Sequence, residues 1–483
     1  MKLRLVLGSL ASALVLAACG GSDSVDRATP QEPATNPDGS EATAVLEAQF
    51  DPANGVLPFP NNLLLSGSED LTLNPPVEDP TDFGDPSVAL SALDGFSTVA
   101  PWSFSFDRPI DPDTVVAGSS VRLFEVQFAF GTVTVESINS ELTPGVDYIA
   151  QAVSPTSVAI VPTQPLQEMT GYMAVVTNGI TDQQGNAATP SQTYFLTKST
   201  DPLVDPAGVS TEPLLDNASA GALEPIRQLV NAQETAAAGE GIDRDDIVLS
   251  FTATTQAVTP VLSAMRSAAE PTSSQIAQVC AAPGACLSTA DVLPAGASPG
   301  VADLYVGVVD LPYYLGVPSQ TNPTAPLTDF WTAAPGAYVP PFDGLGLNPT
   351  STNVTVANPF PVKTADQKAP MLVTVPNASS GQVKPAAGWP VVIFQHGITG
   401  NRTQALALAD AMAAIGYAVV SIDKPLHGLT DVTSPLYVKT QALARSPMSA
   451  PSISISKTTK QALQGPMASS MTRVLGLSIW AAC

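Results

Sequence analysis

Residues 390–428 constrain what this chain can fold into more than any other segment. Pro390-Val391-Val392-Ile393-Phe394 is a short apolar run, the pattern a buried parallel strand gives. Gln404 to Ile415 has helical spacing, with Ala405, Leu408, Ala409 and Met412 on one face. Gly416 stands where a helix-ending glycine would. Tyr417-Ala418-Val419-Val420-Ser421-Ile422 then reads as the next buried strand. Strand, helix and strand within about 33 residues make one βαβ unit, so the region 301–431 reads as α/β. Leu304 to Leu311 and Pro370 to Val375 are further strand candidates in it.

Upstream the pattern changes. Residues 46–200 read as all-β, with short β-rich runs between Pro, Gly, Asp and Asn turns. The clearest runs are Trp102 to Phe106, Ser120 to Phe128, Ser157 to Val161 and Tyr172 to Val176. The acids of this region fall in turns, where Asp bonds its own backbone, and they form no catalytic cluster. Residues 201–300 read as a helical or mixed connector. Ala222 to Glu234 carries Leu223, Ile226, Leu229 and Val230 on one helical face, and Gly239-Glu240-Gly241 breaks it. Asp246 to Thr255 reads as a strand, and Val258 to Ala269 as a second helix.

Composition narrows the function classes. At about 150 residues per domain, 483 residues suggest two to four domains. With 46 Pro, 34 Gly and only 13% charged residues, the chain suits a loop-rich extracellular protein. A net charge of −24 repels nucleic acid and offers no basic patch to anionic membranes. The two histidines, His396 and His427, leave little room for a His-rich metal site. Cys280 and Cys286 read as a small disulfide-closed loop in an oxidising compartment, or as two free thiols; CxxC spacing is absent.

The N-terminus reads as an address. Met1-Lys2-Leu3-Arg4 is basic, and the apolar stretch from Leu5 to Ala18 is too short to span a bilayer. Leu16-Ala17-Ala18-Cys19 resembles the bacterial lipobox, which implies a signal peptide over 1–18 and a lipid anchor on Cys19. The other reading is ordinary cleavage at Ala18. Residues 19–45 then form a flexible tether. Gly at position 20, rather than Asp, implies outer-membrane residence by the bacterial sorting rule.

The chemistry is expected after the two strands of the βαβ unit. Gln395-His396-Gly397-Ile398 follows the first, and Asp423-Lys424-Pro425-Leu426-His427-Gly428 follows the second. In α/β-hydrolases a His-Gly at this place forms half of the oxyanion hole, with the following N–H, here that of Ile398, aimed at the developing alkoxide. The second block is then a structured loop beside the site, and His427 is more a loop residue than a catalytic one.

On these residues the chain resembles the bacterial virulence-factor lipase family, outer-membrane or secreted lipases and lysophospholipases. Further matches are Phe50-Asp51-Pro52, Leu57-Pro58-Phe59-Pro60-Asn61-Asn62, an Ig-like block over 102–186, Asp245-Asp246-Ile247-Val248-Leu249-Ser250 and Leu311-Pro312-Tyr313-Tyr314-Leu315. The resemblance implies an Ig-like all-β N-terminal domain followed by an α/β-hydrolase domain. It also implies ester hydrolysis by a Ser-His-Asp triad on a lipid-like substrate, with no cofactor.

One departure matters. The family pattern requires a G-x-S-x-G nucleophile elbow, and the one match is Gly296-Ala297-Ser298-Pro299-Gly300. It follows no buried strand, and Pro299 opposes a sharp turn into a helix, so it reads as a surface loop. No His follows His427. Residues 432–483 hold five basic residues and no acid, although 43 acids precede them. The expectation is that the reading frame is lost near Val432–Lys439, leaving an incomplete hydrolase domain and an aberrant tail without nucleophile; the other reading is a divergent basic tail. Two functions follow: a lipoprotein esterase of the lipase or lysophospholipase type, or a non-catalytic surface lipoprotein with an Ig-like binding module and a hydrolase remnant.

Overall fold

Alternating burial accounts for most strands of the first half. The computed structural model of the protein describes residues 45–438 apart from Thr81, Phe83 and Gly84. The expected signal peptide, the Cys19 anchor, all but the last residue of the tether, and the tail from 439 onward lie outside the described residues. The chain divides into two units. The first runs to Thr259 and takes back Tyr338–Ala357; the second is Pro260–Ala337 with everything from Asn358.

The first unit holds β1 (Leu46–Ala48), β2 (Trp102–Ser105), β3 (Val121–Phe128), β4 (Val135–Glu141), β5 (Tyr148–Ser154), β6 (Ser157–Pro162), β7 (Gly171–Thr177), β8 (Ala188–Pro190) and β9 (Ile247–Thr254). A three-stranded sheet runs β2-β6-β5 and a four-stranded sheet β4-β3-β7-β9. Their inner faces share one core that includes Trp102, Phe104, Ile160, Leu123, Tyr172 and Phe251. Phe251 bridges the sheets, with its ring 5.8 Å from Trp102 and 6.4 Å from Phe104.

The connector expected over 201–300 is not a separate element. β9 pairs with β7 from Gly171↔Thr254 to Thr177↔Ile247 and completes the four-stranded sheet. The reason lies in β7, whose first six residues are all buried. A strand apolar on both faces needs cover on both. Tyr172, Ala174 and Val176 face the shared core, while Met173 and Val175 form a second cluster with Phe124, Ile247 and Ala237. Ala237 lies on the helix Asn217–Gly239, which Asp216 caps through the Ser219 N–H at 2.7 Å. The expected second helix forms as Thr259–Ala268.

In the second unit, β10 (Ser274–Gln278), β13 (Ala302–Tyr313), β14 (Ala365–Pro376), β15 (Val391–Phe394) and β16 (Ala418–Ile422) form one sheet in the order β10-β13-β14-β16-β15. The short hairpin β11 (Cys280–Ala282) and β12 (Ala285–Cys286) is closed by a Cys280–Cys286 disulfide. β15 and β16 are parallel, Val391↔Ala418 to Phe394↔Ser421, and the helix Leu406–Ala414 joins them, which is the expected βαβ unit. Leu406 packs with Leu304, Leu372 and Leu436 on one sheet face. Since Leu436 is in that cluster, the ordered fold runs past 431, where the sequence placed the domain end.

One expectation fails here. β15 is not buried: Val391 is 55% and Ile393 54% exposed. Among the described residues it is the sheet's edge, with one neighbour and with nothing over those two side chains. Period alone does not distinguish an edge strand from a central one.

Truncating the bridge between the sheets is expected to be expensive. Phe251→Ala should destabilise the first unit by about 3–5 kcal/mol, read from denaturant unfolding followed by Trp fluorescence.

Candidate active site

Parallel strands put their carboxyl ends on one side of a sheet, where open α/β sheets bind ligands. The loops after β15 and β16 therefore start side by side, and their histidines bind each other's loop. The Lys424 N–H donates to His396 Nε2 at 3.0 Å, and the Thr399 N–H donates to His427 Nε2 at 3.0 Å. Nδ1 of His396 meets the Gly397 carbonyl at 2.8 Å, and Nδ1 of His427 meets the Pro425 carbonyl at 2.8 Å. An amide N–H can only donate and a carbonyl can only accept. Both rings are thus neutral imidazoles with the proton on Nδ1. Their centroids are 5.1 Å apart. Burial holds His396 below its ordinary value of 6.5, and the neighbouring His427 adds to the effect.

These bonds hold strained turns. Thr399 has φ +70° and Leu426 φ +63°, in the left-handed region that a β-branched Thr in particular avoids. Thr399 is the donor to His427, and Leu426 precedes that histidine.

A buried ion pair ties the same two loops. Both Arg402 and Asp423 are buried. The Arg402 backbone N–H donates to Asp423 Oδ1 at 2.8 Å, its Nη1 pairs with Asp423 Oδ2, and its Nη2 donates to the Leu436 carbonyl at 2.7 Å. Gly428 is required beside it, because a Cβ there would come within 3.0 Å of Asp423 Oδ2, and its φ is +149°. Sequence reading missed this pair. No local spacing links 402 with 423; the available signal is an Arg and an Asp each set beside an apolar element.

Gly397 and Ile398, the expected oxyanion-hole residues, sit on the exposed part of the first loop. A Cβ built on Gly397 meets nothing within 4 Å, so space is open in front of that backbone. Among the described residues, the Ile398 N–H donates to no protein group. His396 and His427 are brought together with this backbone, but both nitrogens of each ring are engaged. Ser298 is elsewhere. Its hydroxyl donates to Asp410 Oδ2, and Asp410 Oδ1 also accepts from Thr289 Oγ1 at 2.5 Å and the Val301 N–H at 3.1 Å. The Gly296–Gly300 segment is therefore a surface loop, with Gly296, Ala297 and Pro299 exposed, that Ser298 ties to the Leu406–Ala414 helix. Among the described residues no group of three or more His, Cys, Asp or Glu could hold a metal ion.

Two outcomes follow. Asp423→Asn leaves the Arg402 guanidinium buried without its counter-charge and should destabilise the second unit by about 3–5 kcal/mol in urea titrations. An imidazole held neutral in the fold takes up a proton more readily once unfolded. Stability from His396 should therefore be full above pH 6.5 and fall as the pH drops below it, with His396→Gln flattening that dependence.

Comparison with known proteins adds the lineage. Residues 45–283 match the family described as bacterial virulence factor lipase N-terminal. Residues 362–443, which contain both His-Gly loops, match platelet-activating factor acetylhydrolase, isoform II. Curated proteins give no match. Among solved structures, the N-terminal part of the bacterial S-layer protein SbsC aligns over 44% of this chain and 38% of that one, at 9% identity and a TM-score of 0.13, which carries no argument about fold. The two family matches, one over each end of the described fold, support a lipase-family assignment for this chain.

Proposed function

We propose that the protein is a lipid-ester hydrolase whose β15 and β16 loops form the substrate-facing floor of the site. The observation that carries this is the unpartnered Ile398 N–H beside open space at Gly397, at the carboxyl ends of two parallel strands. An ester carbonyl oxygen seated there would accept from Ile398, and the negative charge developing on it in acyl transfer would strengthen that bond. The two histidines fix the loop rather than transfer the proton, because each already holds one donor and one acceptor partner. The serine nucleophile, its base and its acid are not assigned to described residues. The exposed apolar side chains Ile398 and Leu426 on the two loops suit an acyl chain. The name of the matched acetylhydrolase family suggests a phospholipid-like ester as substrate class. In this reading the two-sheet first unit is the Ig-like module, Cys19 carries the lipid anchor, and the protein resides at the outer membrane. The reaction calls for no cofactor.

A second reading has its own observation. Among the described residues Ser298 bonds Asp410, and all four ring nitrogens of the two histidines bond backbone groups rather than a serine. That favours a surface lipoprotein that binds lipid without turning it over.

A fluorophosphonate probe and a short-chain aryl ester separate the two. Labelling and turnover by the full chain are expected of the hydrolase. Turnover should fall about 100-fold when Gly397 is replaced by Pro, which disturbs the loop presenting Ile398. An unlabelled, inactive chain that still binds lipid would establish the second reading.

A further inference from the structure

The backbone in front of the site hangs on few bonds. Gly397, Ile398 and Thr399 are all exposed, between a buried His396 and a buried Gly400. Within this arch the Gly400 N–H closes a turn on the Gly397 carbonyl at 3.1 Å. The bond that ties the arch to the second loop runs from the Thr399 N–H to His427 Nε2. Thr399 sits at φ +70°, a conformation that a β-branched residue keeps only while its surroundings hold it there.

That hold depends on the charge of one ring. A neutral imidazole with its proton on Nδ1 accepts at Nε2, whereas an imidazolium donates from both nitrogens. A proton on His427 Nε2 would face the Thr399 N–H donor to donor, while Nδ1 keeps its bond to the Pro425 carbonyl. His396 is built the same way on the Lys424 N–H, but it is buried and His427 only half-buried. A charged ring needs water or a counter-charge, and water reaches His427. The charged groups at the rings are Asp423 and Lys424, which act on His396 with opposite sign, and Arg402, which bonds both oxygens of Asp423. A second proton on His396 is opposed by the first, since the ring centroids are 5.1 Å apart.

We propose that His427 is a proton-operated latch: its protonation frees the Gly397–Thr399 arch and withdraws the Ile398 N–H, so the site is assembled at neutral pH and dismantled in acid. The latch is a property of the two loops. Only its effect on hydrolysis rests on the lipid-ester reading above.

The test is amide hydrogen exchange of the full chain, read by NMR as protection factors corrected for the pH dependence of intrinsic exchange. Samples at about pH 7.5 and about pH 5 bracket the range over which histidine titrates. Protection of the Thr399 amide should fall at least about tenfold in acid, the scale of one lost hydrogen bond. The Lys424 amide, held by His396, and the Leu372 amide in β14 should keep theirs. In His427→Gln, whose side chain carries no titrating proton, the Thr399 protection should no longer depend on pH. Wild-type protection at Thr399 that is unchanged in acid would overturn the latch. So would a loss shared by Leu372, which is unfolding of the unit, or an equal loss at Lys424, or the same acid loss in the Gln variant. If that variant misfolds, the wild-type titration decides: the Thr399 amide shift and the His427 ring shifts should share one midpoint, and separate midpoints would refute the coupling. Ester turnover that persists in acid with the arch released would keep the latch and overturn the assignment of Ile398.

Discussion

A neutral imidazole has one donor and one acceptor, and each histidine of this chain donates within its own loop and accepts across the gap between the two loops. His396 and His427 each accept from the backbone of the other's loop, at 3.0 Å in both cases. The left-handed turn at Thr399, the seating of Lys424 and the open backbone at Gly397 all depend on that exchange. The Arg402–Asp423 pair repeats the connection with charge and extends it to Leu436. Two neutral bonds and one ion pair thus fix the geometry of a site whose floor is otherwise bare backbone. Backbone donors held rigidly cost no reorganisation when charge develops near them, which is why acyl-transfer sites are built this way.

The first unit solves a different problem. β7 is apolar on both faces, so it needs a sheet on one side and a helix on the other. The helix Asn217–Gly239 carries a buried Glu234 into that layer, where Tyr194 at 3.1 Å, Arg244 at 2.9 Å and Lys198 at 3.4 Å surround it. Buried charge that is fully partnered fixes one arrangement of helix on sheet.

The sequence made some of this legible. Strong periodicity located β2, β3, β6, β7 and the βαβ unit, because burial on one or both faces dictates the residue types there. β4 and β5 escaped notice: Val135–Glu141 is rich in Ser, Asn and Glu, and its pairing with β3 comes from the neighbouring strand rather than from its own residues. The role of β9 in the first sheet was hidden by distance, since about 70 residues separate it from β7 and register is not written in local pattern. At the site, the two His-Gly loops were legible as a place. Their internal bonding was not, because Arg402–Asp423 and the crossed histidine bonds are contacts between loops.

The account turns on the protonation of two rings. Long-range proton–nitrogen NMR correlations of a ¹⁵N-histidine sample at pH 8 report it directly, and the chain has two histidines to assign. Both should show a protonated Nδ1 and a bare Nε2, each in a single tautomer. A ring with its proton on Nε2, or one averaging between tautomers, would break the crossed bonds and contradict the account of how this site is held.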